Sequence, residues 1–208
     1  MIRMFLLLVV PFLPAQTSFN RLEYCRETPS GLYEKQCVEL TATGTGESRF
    51  TRRGGQETRS ALTLSDDGRS NVLALVAATR NLEERERYES KRKVANLGRK
   101  HITLELTAET REAEFNYSDI KEVNALSTFF DSLINQETLV AGLDTAARYD
   151  RLSIPERLEE LESQLRIDRL ADPKALVPAL DRIIQNDQIL DYARENALRL
   201  KNQILAQK

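Results

Sequence analysis

The first residues that could do chemistry are two cysteines, Cys25 and Cys37, which are the only ones in the chain. In an oxidising compartment the pair could form a disulfide. Between them, Pro29, Ser30 and Gly31 are typical of a loop that lets the chain fold back. The alternative is two free thiols, one of them buried in the first strand. We predict the disulfide, which would stabilise the fold by about 2 to 3 kcal/mol in the chain-entropy model.

The second candidate is His101, the single histidine of the chain. A general base or a Ser-His-Asp arrangement would have to use it, and the sequence has no cluster of His and Cys at the spacing of a transition-metal site. Glu112 and Glu114 could form an acid-base pair, although two carboxylates at this spacing are more often the solvated face of a strand. Phosphate-loop, dinucleotide and nucleophile-elbow motifs are absent. We therefore predict no catalytic, cofactor-binding or metal-binding residue.

Basic residues are concentrated in two segments that could bind an anion. Residues 80–100 contain eight Arg and Lys against four Glu, and residues 49–59 contain four Arg against one Glu. If the second strand and the loop before the last hairpin are neighbours, they form one basic face. Its members would be Arg49, Arg52, Arg53, Arg92 and Lys93. The alternative is a solvated loop and sheet edge that charge protects from aggregation.

Residues 1–15 have the pattern of an export signal. Arg3 supplies the positive charge, an almost continuous apolar run follows, and Ala15 is a small residue suited to cleavage. The run is too short for a spanning helix of about 20 residues. We expect a periplasmic or secreted mature chain that begins near Gln16 and has no transmembrane segment. Loss of Arg3 would take its net charge from −2 to −3.

The elements that must position these residues follow from the apolar periodicity. Apolar and polar residues alternate around residues 38–42, around Phe50 and at 61–64, with glycines between these segments. A helix start at Ser65-Asp66-Asp67 comes next, and the alternation returns as a hairpin over residues 102–117. This order predicts an α+β domain over residues 16–149. Its antiparallel sheet would have about five strands, with helices on one face.

The helix after the hairpin is the expected centre of the core. Asp119 and Glu122 have the spacing of a capping box. The broad apolar stripe that follows consists of Val123, Leu126, Phe129, Phe130, Leu133 and Ile134. Gln136, Glu137 and Gly142 interrupt the stripe, so we expect the helix to bend or end there.

Residues 150–208 are predicted to form a helical extension packed on the α+β domain. Pro155 suits the first turn of one helix, and Asp172-Pro173 the start of another. Residues 172–205 resemble one helical hairpin of the HEAT-repeat family. The resemblance is carried by Leu176-Val177-Pro178-Ala179-Leu180, Asp187 and Ala193-Arg194-Glu195-Asn196-Ala197-Leu198. It implies a protein-binding surface, and packing on the α+β domain is the alternative use of these helices.

These observations predict an exported, non-catalytic binding or structural module without a cofactor. Its partner would be a protein or an anionic envelope polymer, and nucleic acid is not expected because the chain as a whole is acidic. The alternative is a small hydrolase whose active site cannot be assembled from sequence motifs.

Overall fold

The computed structural model describes residues 19–83, 87–96 and 98–206. The predicted export signal lies outside these ranges. Within them the chain forms six strands and five α-helices, and none of these helices is long and apolar enough to cross a membrane.

The strands form a single antiparallel sheet. They are β1 (Arg21–Glu27), β2 (Tyr33–Leu40), β3 (Thr45–Arg52), β4 (Glu57–Thr63), β5 (Arg99–Glu105) and β6 (Thr110–Phe115). Their spatial order is β4-β3-β2-β1-β5-β6. The predicted α+β class is confirmed, but the sheet has six strands where the periodicity indicated five. The strand that was missed, β1, lies in the middle of the sheet between β2 and β5.

The helices are α1 (Asp66–Ala78), α2 (Lys121–Tyr149), α3 (Ile154–Arg166), α4 (Val177–Gln185) and α5 (Asp191–Ala206). The predicted end of α2 near Gly142 is wrong, because the helix spans 29 residues from Lys121 to Tyr149. Whether it bends there stays a prediction. Gln136 is fully buried, and its side-chain amide bonds to the backbone of Asp172. A polar residue that meets a backbone partner can interrupt an apolar stripe without ending the helix.

Two of the predicted helix starts have different outcomes. Ser65 caps α1 as expected, since its Oγ accepts a hydrogen bond from the Gly68 amide at 3.1 Å. The capping box at Asp119 is wrong, because Ile120 holds the N-cap position of α2 without a side-chain hydrogen bond. Asp119 instead accepts a hydrogen bond from Ser90 Oγ at 2.5 Å. Its carboxylate thus holds the loop before β5 and not the helix.

Glycines shape the turn between β2 and β3 differently from the prediction. The turn ends at Gly44, whose φ of +84° lies in the left-handed region that favours glycine. Gly46, one of the glycines between the predicted strand segments, lies within β3. A Cβ at Gly46 would lie 1.8 Å from the Glu39 carbonyl oxygen, so the close approach of β2 and β3 excludes any side chain there.

One face of the sheet packs against α1 and the N-terminal half of α2. The stripe predicted for α2 is confirmed, since all six of its apolar residues are buried. Phe130 is fully buried at its centre. Its ring stacks on Tyr24 with centroids 5.2 Å apart, and it meets Phe129 edge-on at 5.6 Å. This group forms the middle of the first core cluster.

A second core cluster joins the C-terminal half of α2 to α3, α4 and α5. Leu143 and Ala146 supply the contribution of α2, and Ile154 begins that of α3. α4 and α5 pack closely on each other, but whether they form a HEAT-type hairpin stays a prediction. α2 therefore runs through both clusters, and the domain division at residue 150 also stays a prediction.

Asp172 joins the helical extension to the start of α1. It is 2 % exposed, and its carboxylate accepts hydrogen bonds from Ser65 N at 2.7 Å and from Ser65 Oγ at 2.6 Å. Its own backbone pairs with the Gln136 side chain, both hydrogen bonds being 3.0 Å long. A Cβ at Gly68 would lie 2.2 Å from the Asp172 carboxylate. Asp172, which was predicted to begin one helix, thus places its negative charge at the N-terminus of another helix, α1.

Near this junction, the pKa of Glu137 is raised. Burial, together with the negative charges of Asp144 and Asp172, raises the pKa of Glu137 to about 7. An unfolded chain would release this proton near pH 4.3. Between these two values the folded protein holds the proton more tightly, so the free energy of unfolding decreases as the pH rises.

We therefore expect the free energy of unfolding of Glu137→Gln to depend less on pH in this range. Above about pH 7 the variant should be more stable than the original chain by at most about 4 kcal/mol, and below about pH 4 the two should be nearly equal. Urea denaturation across this range measures the difference. Glu159→Gln changes an exposed carboxylate and is the matched control. Equal slopes for the original chain and Glu137→Gln would contradict the prediction.

Candidate functional site

The sheet face turned away from α1 and α2 carries the disulfide. Cys25 and Cys37 lie directly opposite each other in β1 and β2 and are bonded, so the predicted disulfide is confirmed. On β5, His101 lies opposite Cys25, and on β3, Arg49 lies opposite Cys37. Glu114 extends the row onto β6. Residues distant in sequence therefore form one row across five strands.

Carboxylates and arginines surround this row. Arg21 donates hydrogen bonds to Glu39 at 2.8 Å, to Glu105 at 2.7 Å and to Glu23 at 3.1 Å. Arg49 Nη2 contacts Glu23 as well, and lies 3.5 Å from Glu39. The hydrogen bond from Arg21 holds the pKa of Glu39 below its usual range. The two arginines of this network are therefore already paired with carboxylates of the same face.

The polar contacts of the His101 ring are long. Its Nδ1 is 3.4 Å from Thr103 Oγ1, and its Nε2 is 3.9 Å from Glu112 Oε2. These distances are longer than those of a working nucleophile and base, and the half-buried ring lies on the open sheet face. A hydrolase needs polar groups that converge in a pocket. The small hydrolase stays an alternative prediction.

A cavity of about 740 Å³ lies at the end of the sheet where β1 and β6 finish and β5 begins. Four carboxylates and one guanidinium line it, namely those of Glu27, Glu34, Glu89, Glu114 and Arg99. Arg99 pairs with Glu114 at 2.5 Å. The carboxylate of Glu89 accepts a hydrogen bond from the backbone amide of Asn116 at 2.6 Å. Sequence reasoning missed this cavity because its walls come from separate segments. No local sequence pattern joins these segments.

The five residues of the predicted basic face have different surroundings. Arg49 belongs to the network of carboxylates and is paired. Arg52 and Arg53 are exposed at the end of β3, where Arg53 Nη2 donates to the Thr28 carbonyl at 2.9 Å. Arg92 and Lys93 are exposed in the loop that leads into β5, and Arg92 lies 3.7 Å from Asp119.

The end of β3 and the start of β5 are at the same end of the sheet, because β3 runs parallel to β1 and β5 runs opposite to it. The acidic cavity lies at this end as well. Arg52 and Arg53 on β3 and Arg92 and Lys93 before β5 therefore lie toward one end of the sheet, with β2 and β1 between the two strands, and Arg49 does not join them. Whether they bind an anion stays a prediction.

A further polar cluster, which the sequence did not indicate, lies on the inner face between the sheet and α2. Asp131 accepts hydrogen bonds from Tyr24 Oη and from Lys100 Nζ, each at 2.7 Å, and Arg26 lies 3.5 Å away. Burial raises the pKa of Tyr24 well above its usual value. Because the donors come from two strands and the acceptor from α2, the cluster fixes the helix on the sheet.

No family model matches the chain, and no curated protein matches it either.

Proposed function

We propose that this chain is an exported, non-catalytic module that binds an anionic partner through Arg52, Arg53, Arg92 and Lys93. The observation that supports the proposal is their common position at one end of the sheet, with all four side chains exposed. Several cations that face solvent together attract a polyanion and can release its counterions on binding. The partner would be a protein with an acidic surface or an anionic envelope polymer.

Export is the second part of the proposal. The pattern of residues 1–15 and the disulfide between Cys25 and Cys37 support it, because disulfides persist mainly in oxidising compartments. The disulfide also joins the two strands of the hairpin formed by β1 and β2.

The binding proposal predicts a strong dependence on salt. With a sulfated polysaccharide on a biosensor as the probe, affinity should fall by at least about tenfold between about 50 and 200 mM salt, because each cation in the contact releases counterions. Substituting Arg52, Arg53 and Arg92 together with Glu should abolish binding. The melting temperature of this triple variant should change little, since all three side chains are exposed.

The matched control is the triple substitution of Arg148, Arg166 and Arg169 with Glu, which changes the net charge equally at exposed positions of the helical part. It should retain most of the binding. Equal losses in both triple variants would show that net charge alone governs binding, and would contradict a site at this end of the sheet. Binding that is indifferent to salt would contradict it as well.

A further inference from the structure

The disulfide is surrounded by further side chains that can ligate metals. One carboxylate oxygen of Glu23 and the two sulfurs of Cys25 and Cys37 all lie within 4.8 Å of one another. Glu23 Oε1 is 3.6 Å from Cys25 Sγ. His101 lies opposite Cys25 on the adjoining strand, at a register where the Cβ atoms of neighbouring strands are about 4.5 to 5.5 Å apart. Two sulfurs and a carboxylate therefore lie close together, and the histidine is on the adjoining strand.

We propose that reduction of the disulfide converts this area into a binding site for Zn²⁺, with Cys25, Cys37, Glu23 and His101 as its four ligands. Thiolate, imidazole and carboxylate are the groups that bind zinc in proteins, and four of them complete a tetrahedral shell. Softer thiolate ligands also favour zinc over magnesium or calcium. In the oxidised protein the two sulfurs are bonded to each other, so the same residues then form no such site.

The conversion requires a dithiol as the reductant. The dithiol transfers two electrons and two protons, its own sulfurs form a disulfide, and the Cys25–Cys37 bond opens to two thiols. Zn²⁺ then displaces both thiol protons into solvent as it binds the two thiolates. Oxidation by another disulfide runs in the opposite direction and releases the metal. The site is therefore occupied only in the reduced state.

The strand pairing preserves the arrangement after the sulfurs separate. β1 is paired with β2 on one side and with β5 on the other, so the backbone positions of Cys25, Cys37 and His101 do not depend on the disulfide alone. The imidazole is half-buried and its contacts of 3.4 and 3.9 Å are weak, so the ring can turn toward the sulfurs. Arg49 already contacts Glu23 and would orient this ligand from outside the shell.

The charges of the ligands, the ion and Arg49 also balance. Two thiolates and the Glu23 carboxylate carry three negative charges against the two positive charges of the ion, which leaves one negative charge on the site. The guanidinium of Arg49 lies beside it and compensates that charge. The sequence did not indicate this site because its cysteines and histidine do not have a ligand spacing along the chain. The register of the strands brings them together.

The proposal is tested by titrating the fully reduced mature protein with Co²⁺, a spectroscopic substitute for zinc, under anaerobic conditions. One equivalent should give the visible absorption of tetrahedral Co²⁺ together with thiolate charge-transfer bands, and Zn²⁺ should displace it. Cys25→Ser should remove the charge-transfer bands or greatly reduce them. His101→Ala and Glu23→Gln should each weaken binding by at least about tenfold, since even outer-shell substitutions cost this much.

Glu57→Gln, which changes a carboxylate at the edge of the same face, is the matched control and should bind as the unchanged protein does. Circular dichroism of the same samples records whether the sheet persists after reduction. An unfolded chain that binds through its cysteines alone would show no dependence on His101 or Glu23, and that result would overturn the proposal. Absence of Co²⁺ uptake, or equal uptake by the oxidised protein, would also overturn it.

Discussion

Substituting Asp172 with Ala should lower the free energy of unfolding by about 3 to 5 kcal/mol, because a buried charged acceptor is lost and its donors are left unsatisfied. The carboxylate is 2 % exposed and accepts two hydrogen bonds from Ser65. Without it, the amide at the start of α1 has no acceptor in the protein interior. Urea denaturation measures the loss, and limited proteolysis should show earlier cleavage within residues 150–206.

Asp172→Asn removes the negative charge and keeps the shape of the side chain. Its amide retains one oxygen acceptor, so we expect a smaller loss than with Ala. Asp187→Ala removes an exposed carboxylate from the turn before α5 and should change stability by less than about 0.5 kcal/mol. If Asp172→Ala were as mild as Asp187→Ala, this residue would not hold the helical part to α1.

Substituting Phe130 with Ala should cost about 3 to 5 kcal/mol of stability, the range measured for large aromatic residues in cores. The side chain is fully buried. It loses its stacking on Tyr24 and its edge contact with Phe129, and the rigid surroundings of the sheet cannot close the cavity fully. Chemical denaturation at a fixed pH gives the value.

Phe130→Leu keeps most of the volume and should cost clearly less than the alanine variant. Tyr149→Ala truncates an aromatic side chain that is 83 % exposed and should have an effect below about 0.5 kcal/mol. A loss under about 1 kcal/mol for Phe130→Ala would place the centre of the core elsewhere.

Much of the fold could be predicted because the spacing of apolar residues along the chain indicates which side chains are buried. The stripe from Val123 to Ile134 has helical spacing and is buried, and the hairpin of β5 and β6 alternates as expected. β1 was missed although Leu22 and Tyr24 alternate with charged neighbours and are fully buried. Cys25, on the opposite face of that strand, is buried as well, so the strand does not show a simple alternation.

Other features could not be predicted because they depend on tertiary partners. The side chains of Gln136 and Asp172 look like a break and a helix start, respectively, but each bonds to a distant segment. The disulfide was predictable from composition and loop length. The row that places His101 opposite Cys25 depends on a pairing between strands that are far apart in the chain, and no local pattern contains that information.

The central position of β1 has a consequence for the order of folding. β1 and β2 are close in sequence and can pair early, but the other edge of β1 must wait for β5, where Tyr24 meets Ile102. Loop closure over such a separation is slow compared with formation of a hairpin. During synthesis, the emerging chain therefore carries an unpaired edge at what will become the middle of the sheet. An unpaired edge of this kind invites pairing with another chain, so a newly made molecule would benefit from a chaperone until residue 105 has emerged.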